Sequence, residues 1–194
     1  MSRKIFTRGI LLLLATVFLG LATAFIFFYG PDFNRNDPSK PRIILPFDLK
    51  KVGETYSFDV NLRGPLTCSL DVKFFIAAPN KWSRLLDKNT GIEEEKRFYD
   101  LLGGSKLINH EWIEPGVPAK FRVQFIQKAG NKVILDKIVD HSRTGSSYMG
   151  RYTILAQDTL QAGIYTIRLD YLEGAPELAP LYAEIRFGRA YTGK

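Results

Sequence analysis

Two histidines, His110 and His141, are the side chains of this sequence best suited to acid–base or metal chemistry. Each has an acidic neighbour, Glu111 for the first and Asp140 for the second, so together they supply the residue types of a catalytic or metal-binding pair. They stand far apart in the sequence, however, and no Cys-His cluster of zinc spacing accompanies them. We therefore expect ordinary histidines of a strand edge and a loop.

Three other stretches contain residue types of known chemistry, and each departs from the pattern that its chemistry needs. Ser146 and Ser147 lie in a glycine-flanked loop, but no G-x-S-x-G elbow surrounds them. The acidic stretch from Asp87 is similar to a calcium loop, but its Gly91 stands one position early. Basic and aromatic residues alternate over residues 120–125, where the aromatic side chains share the apolar phase of a strand. We expect no enzyme activity, catalytic residue, metal, cofactor or nucleic acid.

Composition indicates one folded domain that follows a separate N-terminal segment. The chain has 194 residues, of which 45% are hydrophobic and 24% are charged, as in globular proteins. The formal net charge is +7, and Arg3, Lys4 and Arg8 supply three of these charges ahead of any acid. The single cysteine, Cys68, has no partner for an intramolecular disulfide and is expected to be a small buried residue.

The N-terminal segment predicts a membrane anchor. Residues 1–9 form a basic tail, and residues 10–29 contain no charge over a length that crosses a hydrocarbon core as a helix. The alternative is a cleaved signal peptide, because Ala22-Thr23-Ala24 matches an A-x-A cleavage site. The apolar run continues through residues 25–29, and this favours an uncleaved signal-anchor.

Charge predicts the orientation of that anchor. The basic tail is expected to stay in the cytoplasm, so the domain lies on the other side of the membrane. We expect a single-pass protein of the bacterial inner membrane with its C-terminal domain in the periplasm. Residues 30–42, rich in Pro, Gly, Asn, Asp and Ser, predict a linker. Residues 43–190 then form the domain.

Alternating apolar residues predict a domain built of antiparallel strands. Apolar residues alternate with polar ones over residues 56–62 and again over residues 66–76, with Arg63-Gly64-Pro65 between them. This pattern predicts a β-hairpin. Six further strands are predicted at Lys106–Ile113, Ala119–Gln127, Lys132–Asp140, Arg151–Gln157, Ile164–Leu172 and Leu181–Gly188.

Residues 77–105 interrupt this pattern and contain the one predicted helix of the domain. Thr90 is a suitable N-cap, three glutamates occupy the first turn, and Gly103 is a suitable stop. The helix is expected at Gly91–Leu102.

The motif Leu160-x-Ala-Gly-x-Tyr165 indicates the architecture of the sheets. It resembles the tyrosine corner of Greek-key sandwiches, in which a tyrosine hydroxyl returns to the backbone of the preceding connection. Leu160 would fill the core, and Gly163 would permit the close backbone approach. We expect a mainly β fold, an immunoglobulin-like, Greek-key antiparallel β-sandwich with one inserted helix, preceded by an N-terminal transmembrane helix.

The chain also resembles an uncharacterised bacterial family of small membrane- or lipid-anchored envelope proteins with a single β-sandwich. The residues that carry the resemblance are Val52-Gly53-x-x-Tyr56-x-Phe58-x-Val60 and Leu160-x-Ala162-Gly163-x-Tyr165-x-Ile167, within residues 44–188. Some members use an acylated cysteine, and no cysteine lies near the anchor of this chain. Small domains of this kind resemble immunity proteins that neutralise toxins in the envelope, which implies a protein partner.

Loops that the strands do not need are the candidate sites for such a partner, since a rigid sandwich carries function on its loops. The candidate residues lie in the 77–105 segment and the 140–150 loop: Trp82, Phe98, Tyr99, Tyr148 and Met149. We expect a membrane-tethered, periplasmic protein-binding module, with an immunity protein as its specific form. The alternative is a structural or assembly component of an envelope or secretion complex.

Overall fold

The computed structural model describes residues 41–76, 90–147 and 150–190, which lie within one compact unit, Asn36–Lys194. Within these ranges the backbone of the helix is described from its first residue and its side chains from Lys96 onward. No helix of the described part is long and apolar enough to cross a membrane. The predicted span at residues 10–29 lies outside it.

The described residues form a mainly β structure with one α-helix. The helix, α1, is Thr90–Leu101 and agrees with the predicted one to within a residue at each end. The strands are β1 (Arg42–Phe47), β2 (Thr55–Leu62), β3 (Leu66–Phe75), β4 (Lys106–Ile108), β5 (Glu111–Ile113), β6 (Ala119–Gln127), β7 (Lys132–Asp140), β8 (Gly145–Ser147), β9 (Gly150–Leu160), β10 (Gly163–Gly174) and β11 (Tyr182–Arg189).

Two antiparallel sheets face each other across a shared core. The first has the strand order β1-β11-β3-β9-β8, and the second has the order β2-β10-β6-β7. Phe187 of the first sheet contacts Phe58 and Phe125 of the second, with ring centres 5.9 and 6.0 Å apart. Alternation along each strand puts its apolar side chains on the face toward this core. In β6, for example, Phe121, Val123 and Phe125 are fully buried and alternate with partly exposed residues.

The predicted hairpin of residues 56–76 is wrong, because β2 and β3 belong to different sheets. Strand β2 pairs with β10, whereas β3 pairs with β11 on one side and with β9 on the other. The turn at Arg63-Gly64-Pro65 therefore carries the chain from one sheet to the other. Alternation shows which side chains face the core, but it is the same for strands of either sheet.

The prediction of one strand over Lys106–Ile113 is also wrong. Strands β4 and β5 form a separate two-stranded hairpin, and the chain reverses at Asn109 and His110, which have φ of +51° and +68°. Two successive positive φ values are those of the type I′ turn that closes tight hairpins. Two short strands also lie where no strand was predicted: β1 begins at the last residue of the expected linker and continues into the predicted domain, and β8 lies in the 140–150 loop.

Tyr165 makes the hydrogen bond of a tyrosine corner. Its hydroxyl donates to the carbonyl oxygen of Gln161 at 3.0 Å, and its ring is buried. Leu160 is 1% exposed in the core below it. Gly163 has φ of +152°, a conformation that side chains rarely adopt, and the Tyr165 ring lies 3.6 Å from the position of a Cβ there. This corner connects β9 of one sheet to β10 of the other.

Candidate partner-binding surface

Helix α1 and the segment that follows it are attached to the domain by their apolar side. Phe98 and Leu102 are 4% and 0% exposed in the common core. Gly103, with φ of +67°, then lies directly against the backbone of Gly116, where an added Cβ would stand 2.1 Å from the carbonyl oxygen. Only glycine permits this approach, so the residue that ends the helix also sets its position.

The loop after β7 is held by the same segment. An added Cβ at Gly116 would lie 1.9 Å from the carbonyl oxygen of His141, and the amide of Val117 donates to the carbonyl oxygen of Ser142 at 2.9 Å. Thr153, fully buried on β9, lies 2.6 Å from the Ser142 hydroxyl and 2.9 Å from the carbonyl oxygen of Arg143. The start of the 140–150 loop is thus fixed by backbone and buried hydroxyl contacts.

Thr144 joins this loop to the end of α1 and to β9. Its hydroxyl donates to the carbonyl oxygen of Leu102 at 3.0 Å and accepts from Arg151 Nε at 2.6 Å. Arg151 Nη2 donates to the Thr144 carbonyl oxygen at 3.0 Å. The hydroxyl therefore satisfies a carbonyl left free at the helix end.

Arg151 is a buried cation, 8% exposed, beneath the helix. Its guanidinium carbon lies 4.8 Å from the centre of the Tyr99 ring, and that ring packs edge-on against Phe98. Within the described residues no ion pair joins Arg151 to an acid. The Thr144 oxygens and the π face of Tyr99 therefore compensate its charge.

The β4–β5 hairpin follows α1 in the chain and belongs to neither sheet. Leu107, Trp112 and Ile113 are 57%, 72% and 42% exposed, and Leu107 lies directly opposite Trp112 in the register. The base of the hairpin is tied to the 140–150 loop, because Glu114 accepts from Arg143 Nε at 2.9 Å. We call the two exposed apolar side chains that share one face of this hairpin, Leu107 and Trp112, the hairpin patch, whereas Ile113 faces the other side.

The structure places the predicted site residues unevenly. Phe98 is buried in the core, so its ring offers little surface to a partner. Tyr99 is partly exposed and stacks on Arg151. Trp82, Tyr148 and Met149 lie outside the described residues.

Sequence reasoning missed the hairpin patch. A single strand over Lys106–Ile113 would place Leu107 and Trp112 on opposite faces, whereas the hairpin places them on the same one. The signal that could have revealed it is Asn109, a residue type that tolerates positive φ, in the middle of the stretch.

The outer face of the β2-β10-β6-β7 sheet contrasts with the hairpin patch, because its charges are already paired. Arg122 donates to Asp136 through Nε and Nη2, at 2.9 and 2.7 Å, and this contact lowers the pKa of Asp136 to about 2. Lys120 pairs with Glu173 at 2.9 Å. Asp59 accepts from Lys128 and from the Thr166 hydroxyl. Arg168 pairs with Asp170.

The outer face of the other sheet carries a second, more buried set of charges. Arg186 donates to Glu184 at 2.8 Å, and Lys73 Nζ lies 4.7 Å from the centre of the Phe75 ring. Burial lowers the pKa of Lys73 and raises the pKa of Asp71. With Lys73 9% and Phe75 2% exposed, these side chains offer little free surface.

Comparison with known proteins assigns the domain to a family. The model of DUF5625, a domain of unknown function, matches residues 44–189, which is most of the chain and nearly all of the two sheets. The chain belongs to the DUF5625 family. No curated protein matches this DUF5625 chain.

Five solved chains match the DUF5625 chain in structure. A crystal structure of a protein from Sulfurospirillum deleyianum is similar to it with a TM-score of 0.55 and 17% sequence identity. The alignment covers 77% of this chain and 97% of the other. At that identity the likeness concerns the fold alone. The predicted resemblance to an uncharacterised family is confirmed, whereas the anchor and the envelope location stay predictions.

Proposed function

We propose that this DUF5625 protein is a membrane-tethered, periplasmic protein-binding module with an immunoglobulin-like Greek-key sandwich, and that its hairpin patch contacts the partner. In its specific form it is an immunity protein that binds a toxin acting in the envelope. The single observation that carries the binding role is the exposed Trp112, presented with Leu107 on a hairpin that neither sheet requires.

The energetics of an isolated hairpin support this role. A two-stranded hairpin is marginally stable in water, and strands of three residues are at the short end of the range. Leu107 and Trp112 are more than half exposed, so their burial contributes little to the stability of the described domain. Tryptophan is enriched among the residues that dominate binding energies, where its truncation costs about 2 kcal/mol or more.

The contacts at the base of the hairpin support presentation of a rigid element. The Glu114–Arg143 ion pair, the approach of Gly103 to Gly116, and the Thr144–Leu102 hydrogen bond connect the hairpin, the 140–150 loop and α1. Residues held in advance lose less conformational entropy when a partner binds. This arrangement suits a specific protein partner.

The test compares Trp112→Ala with Ile164→Ala in the full-length protein. Ile164 is 48% exposed, and it lies at the far end of the second sheet, where β10 begins beside the end of β6. Tagged proteins are captured from detergent-solubilised membranes after in vivo cross-linking, and each variant must first melt like wild type. We expect Trp112→Ala to reduce recovery of the partner about tenfold or more, and Ile164→Ala to leave it unchanged.

The captured proteins also separate the two forms of the function. A single toxin in a stoichiometric complex supports the immunity role, whereas several membrane proteins of one assembly support the structural alternative. Equal recovery with both variants places the binding surface elsewhere and contradicts the role of the hairpin patch.

A further inference from the structure

The two sheets end in four edge strands, and three of these carry features that prevent another strand from pairing with them. Strand β1 contains Pro46, which lacks an amide hydrogen, and β8 has only three residues. Strand β7 has an irregularity in its pairing with β6, and its Lys137 lies opposite the buried Val123 yet stays exposed. A lysine on the core-facing side of an edge strand opposes edge-to-edge pairing.

Strand β2 is different. It has eight residues, TYSFDVNL, with no proline, no lysine and no bulge against β10. Among the described strands it pairs with β10 alone, so alternate amide and carbonyl groups along its other side are left unpaired. Its core-facing Tyr56 and Phe58 are only half-buried, as side chains at an open margin are. Among the described edge strands, β2 is therefore the one that lacks a feature opposing pairing with another strand.

We propose that β2 is a self-association edge, and that a second copy of this chain pairs with it through its own β2. Antiparallel pairing about a two-fold axis at Phe58 joins the two second sheets into one continuous sheet. Side chains of the same face then meet, because the numbers of any two residues that lie opposite each other differ by an even number. This inference is independent of the hairpin patch, which lies on another part of the domain.

The side chains of β2 fit this register. Phe58 lies opposite Phe58 of the second copy, which covers two half-buried rings. On the outer face Ser57 lies opposite Asp59 of the second copy, and Thr55 lies opposite Asn61, so no like charges meet. Asp59 itself is already bonded to Lys128 and Thr166 in its own copy. Moving the axis to Asp59 would set two aspartates directly opposite each other, which is unfavourable.

The register makes a prediction that depends on the sign of a charge at one exposed position. Because the dimer is two-fold symmetric, each substitution at Ser57 creates two contacts with Asp59 of the other copy. Ser57→Asp makes both contacts repulsive, whereas Ser57→Lys makes both attractive. Gln157→Asp, at an exposed position of β9 in the other sheet, is the matched control. The full-length protein in detergent is measured by sedimentation over a range of concentrations, after each variant has been shown to melt like wild type.

We expect a monomer–dimer equilibrium that Ser57→Asp weakens roughly three- to thirty-fold, while Ser57→Lys leaves it as strong or stronger and Gln157→Asp does not change it. Carbodiimide treatment of Ser57→Lys, in mixed isotope-labelled and unlabelled protein, should join the introduced amine to Asp59 of the other copy. A monomer at every concentration, or equal weakening by Ser57→Asp and Ser57→Lys, overturns the proposal, as does an extended segment of a different protein found on β2.

Discussion

The guanidinium carbon of Arg151 lies 4.8 Å from the centre of the Tyr99 ring, so the start of β9 is packed against the one α-helix among the described residues. Arg151 also bonds Thr144, which in turn bonds the carbonyl oxygen of Leu102. One buried side chain thereby links the two loop regions that interrupt the strand pattern. A buried charge that has no acidic partner among the described residues is retained only where such contacts replace its hydration.

Arg151→Ala should therefore reduce the free energy of unfolding by about 1.5–3 kcal/mol, the usual range for hydrogen bonds that involve a charged group. The control is Arg143→Ala, which removes an ion pair whose arginine side chain is 82% exposed. That change should lower the unfolding free energy by less than ~1 kcal/mol. Denaturant unfolding of residues 36–194 measures both. Equal losses would mean that Arg151 does not link these elements.

The tyrosine corner predicts two effects of different size. Tyr165→Phe removes the hydrogen bond to Gln161 and should cost about 0.5–1.5 kcal/mol of unfolding free energy. Leu160→Ala empties core volume and should cost about 2–5 kcal/mol. The same unfolding measurement applies. A neutral Tyr165→Phe together with a loss below ~1 kcal/mol for Leu160→Ala would make the motif a surface turn.

His110, in the turn of the β4–β5 hairpin, adopts a backbone conformation that residues other than glycine disfavour. His110 has φ of +68° at the second central position of the turn, where glycine is preferred. His110→Gly should stabilise the hairpin by about 0.5–1 kcal/mol and slow hydrogen exchange of the amides in β4 and β5. His110→Ala, which keeps a Cβ, is the control and should give no such gain. Unchanged hydrogen exchange in His110→Gly would show that the conformation of His110 does not limit the stability of the hairpin.

Cys68 should be unreactive in the folded protein. The side chain is fully buried, and burial raises the pKa of the thiol to about 11. A raised pKa keeps the thiol protonated at pH 8, and the thiolate is the reactive form. We expect no alkylation by iodoacetamide at pH 8 within a time that fully alkylates the unfolded chain, as measured by intact mass. Alkylation at the unfolded rate would contradict the burial.

The local elements of the domain follow from the sequence alone, because each depends on neighbouring residues. The predicted β6 and β7 have the observed bounds, since alternation over Ala119–Gln127 and Lys132–Asp140 reports which side chains face a core. The helix begins within one residue of the predicted start, where three glutamates in the sequence suit a first turn. The spacing of Leu160, Gly163 and Tyr165 likewise indicated that the tyrosine hydroxyl bonds the backbone of the preceding connection.

Tertiary structure decided what each strand pairs with and which side chains remain exposed. Residues 56–76 read as a hairpin because alternation is identical for neighbours in one sheet and for strands facing each other across a core. From the sequence, Trp112 was one apolar residue of a longer strand. In the structure the positive φ of Asn109 and His110 reverses the chain and exposes it on a hairpin. Arg151 and Tyr99 meet only because Gly103 and Gly116 let two distant backbone segments touch, a contact that no local pattern encodes.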